Sequence, residues 1–499
     1  MSELPILSIC ILLPLLSAAY ITFFVSQSRS PNKQVYAMYV AILSSVFTLI
    51  STIYLMVRFD HTEDAYQFVE RHKWVRSIGL EYYIGIDGIS LYFIVLSALL
   101  TLICIIASLF TVKKYIKEFL LCFLLLEAFC IGAFSSLNLL LFFLFFEVIL
   151  IPMYLIIGIW GGENRIYAAI KFFIYTFFGS VFFLISLIYI YTKAHTFSMP
   201  ELAQIVPTFS LEVQRILFIA TFIAFAVKVP IPPFHTWLPD AHVQAPTAGS
   251  VILAGILLKL GAYAFLRISL PMLPEASSEM AIYILILSAF AIIYASLVAL
   301  AQKDMKKMIA YSSVAHMGYV TGGIFSFTKT GLQGAVFQMI SHGIISSALF
   351  LIVGVLYERN HTKEIDKYGG VASKMPTLAV FFMISMLGSV GLPGTSGFIG
   401  EFFSILGIFK VNNIVAVFAG LGIVLGAMYM LKLYKQVMLG EITNRDVSAF
   451  KDLEVYEMLA LLPLIILIIY FGLIPETVMK TFDLPVEGLV KAYDFLSKF

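Results

Sequence analysis

Charge is scarce in this chain. Only 12% of its 499 residues are Asp, Glu, Lys or Arg, against 61% that are hydrophobic, which leaves too little polar surface to cover a water-soluble protein. A mean hydropathy of +0.96 places the chain among polytopic membrane proteins. The net charge is only +2, and no stretch is basic enough to hold a nucleic acid. Cysteine is sparse as well. Cys10, Cys104, Cys122 and Cys130 all lie in apolar stretches and form no CxxC, so they read as small buried hydrophobes and fit neither a disulfide framework nor a metal cluster. A dinucleotide fingerprint and a convincing haem site are both missing, so no cofactor is expected in this chain and it is not expected to carry electrons. The first apolar segment lacks a basic leader and an A-x-A cleavage site, and is expected to be a retained helix.

Apolar runs near the twenty residues that cross a bilayer as helix occur at 4–25, 36–58, 86–111, 117–135, 138–160, 167–192, 213–241, 247–269, 279–300, 307–326, 331–357, 376–408, 412–434 and 454–474. The expected fold is an all-α polytopic membrane protein of about fourteen transmembrane helices. Runs 213–241 and 376–408 are too long for one plain span and carry VPIPP at 229–233 and GLPGTSG at 391–397. Proline removes an amide donor and clashes with the preceding turn, so the seventh and twelfth helices should be discontinuous. The odd offset between these breaks predicts two inverted five-helix repeats, at 117–269 and 279–440. Residues 1–116 then supply three leading helices with an outer-side loop, and 441–499 a last helix and a tail. VILAGILLKLGAY and GIVLGAMYMLKLY, each ending around a lysine (Lys259 and Lys432), echo one another across the repeats. Lys and Arg collect in the odd-numbered loops, among them Arg29, Lys113, Lys114, Lys303, Lys306, Lys307, Arg359 and Lys363, which predicts both termini on the opposite, outer side. The charged stretch 58–84 should be an extramembrane cap on that outer side.

Against this apolar background the intramembrane charges stand out. A lysine at bilayer depth costs roughly 2.5–3.5 kcal/mol on insertion scales, yet Lys228 immediately precedes the first proline break and Lys259 lies in the next helix. Glu147, in LLLFFLFFEVILIPMY, is deep in hydrocarbon; either it is a carboxylate paired with Lys228, or it stays protonated and caps a carbonyl. Glu127 should lie at similar depth in the preceding span, as a proton-entry group or a structural acid. Lys259 is a carrier or a lysine snorkelling toward the interface beside Arg267. His316 and His342 occupy neighbouring spans with Ser312, Ser313, Ser341, Ser346 and Ser347, which could hold water; imidazole exchanges protons near neutral pH, though a lone buried His is often a hydrogen-bonded core residue. Glu401 follows Gly394 in the second broken helix and would end the series. His235, Asp240 and His242 in HTWLPDAH fit no standard metal ligand set and read as a polar loop anchoring the first break. Lys171 snorkels or serves entry, and Asp87 caps a helix.

EVILIPMYLIIGIWGG, VKVPIPPFHTWLPDAHVQAPTAGSVILAGILLKLGAY, KKMIAYSSVAHMGYV and GLPGTSGFIGEF together resemble the antiporter-like membrane subunits of respiratory complex I (NADH:quinone oxidoreductase), most of all the M type. The resemblance runs over nearly the whole chain. It implies fourteen helices, two inverted repeats and proton translocation through Glu147, Lys228, Lys259, His316, His342 and Glu401, with Glu127 and His235 as secondary candidates. Glu401 favours the M type, because the L and N types generally carry lysine there; the tail from Pro475 to Phe499 is too short for the long lateral helix of an L type. The implied partners are other complex I membrane subunits, especially the L-type and N-type paralogues, and the lipid bilayer of a bacterial or mitochondrial inner membrane. Quinone, FMN and iron–sulfur clusters would belong to partner subunits. The nearest rival is a subunit of a multi-subunit sodium/proton antiporter. A structural spacer, in which the charges only hold helices together, and a quinone-binding subunit are the other classes considered.

Overall fold

The computed structural model describes residues 4–24, 31–75, 78–442 and 444–496. Among them, 11 helices are long and apolar enough to cross a membrane; the chain is an integral membrane protein. Three of the fourteen expected spans fall outside that set: the run 376–408 because its break leaves two short helices, Pro376–Val390 and Ser396–Val411, of 15 and 16 residues, and two others for reasons visible in their residues. Leu211–Lys228 carries Glu212, Arg215 and Lys228, and Met305–Ile324 carries Ser312, Ser313, His316 and Thr321. The chain forms two compact units, one from residues 1–228, 256–280 and 480–499, the other from 229–255 and 281–479.

In the first unit, Ile6–Phe24 packs on Ile116–Ser135, and Arg165–Ala194 packs on Leu211–Lys228. The expected single helix over 138–160 is two segments, Leu139–Val148 and Leu150–Trp160, parted at Ile149. Pro152 is the cause: it offers no N–H to the Val148 carbonyl one turn back. The charged stretch after the second helix contains an antiparallel hairpin, Gln67–Val75 with Leu80–Ile86, which charge composition did not disclose. Asp87 is the expected cap: its carboxylate accepts from the Ile89 and Ser90 amides at 3.0 and 3.1 Å, and Ser90 Oγ accepts from the Asp87 amide in return. Asp87 also pairs with Arg267, which belongs to the helical path after Lys259 and stands 5.5 and 5.3 Å from the Tyr66 and Tyr263 rings. The C-terminal tail is helical from Glu476 to Leu496. It buries Val478, Phe482, Val486 and Tyr493, and Tyr493 donates to the Leu270 carbonyl at 3.0 Å.

The second unit is built around Lys329–Asn360, which packs against Met305–Ile324, Ser396–Val411, Pro376–Val390, Val455–Leu473 and Thr247–Ile252. Its most apolar stretch is 100% buried, as expected of a helix that is apolar on every side. Close approach to Ser396–Val411 depends on Gly334, where a Cβ would lie 2.3 Å from the Ser404 amide nitrogen.

Both predicted breaks are present. Leu211–Lys228 stops at Lys228, residues 229–236 turn, and Trp237–Gln244 resumes. Pro376–Val390 ends on Gly391 in the left-handed region, φ 76°, whose amide donates to the Gly388 carbonyl at 3.2 Å. A glycine there satisfies the helix end without Cβ strain. Ser396–Val411 then begins.

Candidate functional site

In the first unit, Lys228 is the last residue of its helix and is buried. Its Nζ donates to the Phe146 carbonyl at 3.4 Å and stands 4.4 Å from the Phe146 ring centroid. The ammonium thus meets the backbone and ring of the residue preceding Glu147. Glu147 itself is half-buried at the end of Leu139–Val148, beside the Pro152 turn, and its carboxylate faces Lys228 and Ser180. The structure brings the two charges to one place without joining them by a hydrogen bond. Glu127 is buried and has a different partner, Ser45, whose Oγ donates to its Oε2 at 3.1 Å.

Lys259 is fully buried in the helical segment Leu258–Ala264, which packs on the helix that ends in Lys228. π-helical turns precede and follow it, Leu253–Leu257 and Phe265–Ser269. Such wide turns interrupt the regular i→i−4 bonding and concentrate at functional positions. They carry no proline and had no signal in the apolar pattern.

The second unit assembles three of the expected residues at the Gly391 break. His316 Nδ1 and Glu401 Oε1 are 2.7 Å apart, and His316 Nε2 and Ser389 Oγ 3.2 Å apart. Gln338 Nε2 donates to the same Glu401 oxygen at 3.2 Å. The His316 and His342 rings stand 5.5 Å apart, centroid to centroid. All are buried. A cavity of about 10 Å³, room for about one water, is lined by Ser312, His316, Gln338, His342, Ser346, Ser389 and Glu401. A second of the same size lies at His316, Tyr319, Ser389, Glu401 and Tyr429. The carboxylate–imidazole pair therefore lines two spaces that can each hold water. Ser389 and His342 stand beside this pair, at 3.2 Å from His316 Nε2 and 5.5 Å from the His316 ring centroid.

Of the five serines expected to hold water, Ser312 and Ser346 line the first cavity; Ser313 and Ser347 bond to backbone carbonyls, and Ser341 donates to Ser396. His235 lines neither cavity. It lies 5.3 Å from the Tyr294 ring and 6.2 Å from the Tyr311 ring, and His242 stacks on Phe350 at 4.5 Å. Lys171 stands 5.6 Å from the Tyr167 ring. Sequence reasoning missed Gln338 and Ser389. Gln338 could have been found as the residue one helical turn before His342, on the same face.

The geometry of the pair depends on the break closing tightly. A Cβ on Gly397 would sit 2.0 Å from the Gly388 carbonyl oxygen. Gly397→Ala is expected to cost about 1–3 kcal/mol through overpacking and to lower the thermal unfolding midpoint of the purified protein. An unchanged midpoint would mean that the half-helices separate without strain.

The family model described as "NADH:quinone oxidoreductase/Mrp antiporter, TM" matches residues 136–426. The chain is 69% identical to a Rickettsia bellii protein named NADH-quinone oxidoreductase subunit M, over 98% of this chain and 99% of that one. It is similar to a chain of respiratory complex I from Thermus thermophilus, at 29% identity and a TM-score of 0.89, covering 98% of this chain and 99% of that one. It shares its fold with a chain of the Mrp complex from a Dietzia species, at 20% identity and a TM-score of 0.86, over 100% and 99% of the two chains. With that match over more than half its length and that identity over nearly all of it, the chain belongs to the NADH:quinone oxidoreductase/Mrp antiporter transmembrane family, in its subunit M branch.

Proposed function

We propose that this chain is a membrane-arm subunit of NADH:quinone oxidoreductase and translocates protons, driven by quinone reduction in neighbouring subunits. The observation that carries this reading is the buried His316–Glu401 contact of 2.7 Å, which lines two water-sized cavities. An apolar span gains nothing structural from an imidazole and a carboxylate that leucines could not supply more cheaply, because buried polar groups are costly unless paired. In sequence, Glu147 and Lys228 form the responsive charge set, Lys259 the central carrier, His316 and His342 the relay, and Glu401 the terminal group. Glu127 and His235 are accessory. Fourteen helices in two inverted repeats, at 117–269 and 279–440, and both termini on the outer side complete the architecture. The electron carriers belong to partner subunits, and the L-type and N-type paralogues flank this chain.

Lys259→Met tests the centre of the relay. The variant keeps the side-chain volume and removes the ammonium. NADH-driven proton uptake by inverted membrane vesicles is expected to fall by about a hundredfold, the low end of what a positioned proton-transfer group contributes, with the complex assembled. Uptake at the normal rate would refute the central role of Lys259. A second reading, a sodium/proton antiporter subunit, is favoured by the fold shared with the Mrp complex chain. It predicts lost sodium/proton exchange with no dependence on NADH.

A further inference from the structure

Lys306 counts in the sequence as one of the basic loop residues, yet it is buried, at 2% exposure, in the first turn of Met305–Ile324. Its Nζ donates to the Ala245 carbonyl at 2.8 Å and reaches Ser250 Oγ at 3.5 Å. Ser250 in turn donates to the His242 carbonyl at 3.1 Å. Lys363 Nζ donates to a further carbonyl at the end of the half-helix Trp237–Gln244, that of Val243. Helix C-termini attract cations through their unsatisfied carbonyls, and two ammonium groups converge on this one.

Three facts separate this arrangement from an ordinary cap. Among the described residues, Lys306 has a carbonyl and a hydroxyl at bonding distance; the charges that face it, Asp304, Glu358 and Lys363, interact at longer range. A neutral amine keeps its bond to Ala245 and has a lone pair to spare, so the site holds either protonation state. Lys363, by contrast, is half-exposed in the loop that a β-bridge between Asp304 and Glu364 ties to the start of Met305–Ile324. Burial holds the Lys363 ammonium below its ordinary pKa, against the opposing pull of Asp304.

We propose that Lys363 and Lys306 form a two-lysine proton-loading ladder at the end of Trp237–Gln244, with Lys306 as the buried carrier. The Lys363 ammonium releases a proton that the neutral Lys306 amine accepts; Lys363 regains a proton from water on its loop, and the Lys306 ammonium gives its own to a water on the inner side, toward His316 of the same helix, Met305–Ile324. Ala245 and Ser250 hold the Lys306 nitrogen in place through both states. The ladder rests on the proton-translocation reading above.

The test is NADH-driven proton uptake in inverted vesicles holding the assembled complex. Lys306→Arg preserves a cation for the carbonyls but cannot give up its proton, so uptake is expected to fall by about a hundredfold with assembly intact. Uptake at the normal rate in the assembled Arg variant would make Lys306 a cap and overturn the proposal. Should the Arg variant not assemble, Lys363→Met decides, since it changes a half-exposed loop residue and leaves Lys306 on Ala245. It is expected to slow uptake by about tenfold or more, and unaltered uptake would overturn the ladder. Lys259→Met measured alongside separates the two failures: if it also pumps normally, the translocation reading itself falls.

Discussion

Glu147→Ala in the assembled complex is expected to abolish both quinone-coupled NADH oxidation and the proton gradient in inverted vesicles. Lys228 is buried against the carbonyl and ring of Phe146, and Glu147 is the adjacent residue. Removing one member of a buried charge set leaves the other uncompensated, at a cost of about 3–5 kcal/mol. At about 1.4 kcal/mol per decade, that exceeds a hundredfold in any equilibrium that requires Lys228 to carry its proton. Assembly assayed in parallel distinguishes this from a structural spacer, whose variants would lose the complex and not the turnover. If the NADH-driven gradient survives unaltered while sodium/proton exchange disappears, the chain operates as an antiporter subunit.

Glu401→Lys should close the second unit. Glu401 Oε1 receives Gln338 Nε2 at 3.2 Å and stands 2.7 Å from His316 Nδ1, so an ammonium there would face an amide donor and an imidazole with no acceptor between them. Two like charges at about 3 Å repel by roughly 5–6 kcal/mol at an effective dielectric near 20. An ammonium there opposes any positive charge on His316, and proton uptake is expected to fall below detection. Lysine is the residue that the L and N types generally carry at this position, so the substitution also asks whether the M-type surroundings can accommodate it. Normal uptake in Glu401→Lys would remove the His316–Glu401 contact from the path. Glu401→Gln, which keeps the shape and an acceptor oxygen, is the milder control.

The chain's own chemistry fixed its class and its breaks. Hydropathy is additive along a segment, and proline acts on the turn before it, so membrane residence, VPIPP at 229–233 and GLPGTSG at 391–397 could be read without a fold. The chemical identity of Glu147, Lys228, Lys259, His316, His342 and Glu401 was legible for a related reason: a charge in an apolar run is conspicuous wherever the run packs. Other features depended on contacts across long sequence separations. His316 meets Glu401 across 85 residues and Arg267 meets Asp87 across 180, distances over which no local pattern specifies a partner. The hairpin at Gln67–Val75 and Leu80–Ile86 and the helix Glu476–Leu496 were hidden by their mixed polarity. Lys306 is the clearest case. Its composition and its place beside Lys303 and Lys307 mark it as a loop cation, and only the packing of Met305–Ile324 against Trp237–Gln244 turns its amine from water to the carbonyl of Ala245. Sequence determined which groups can hold a proton; tertiary structure decided which of them are out of reach of solvent and within reach of one another.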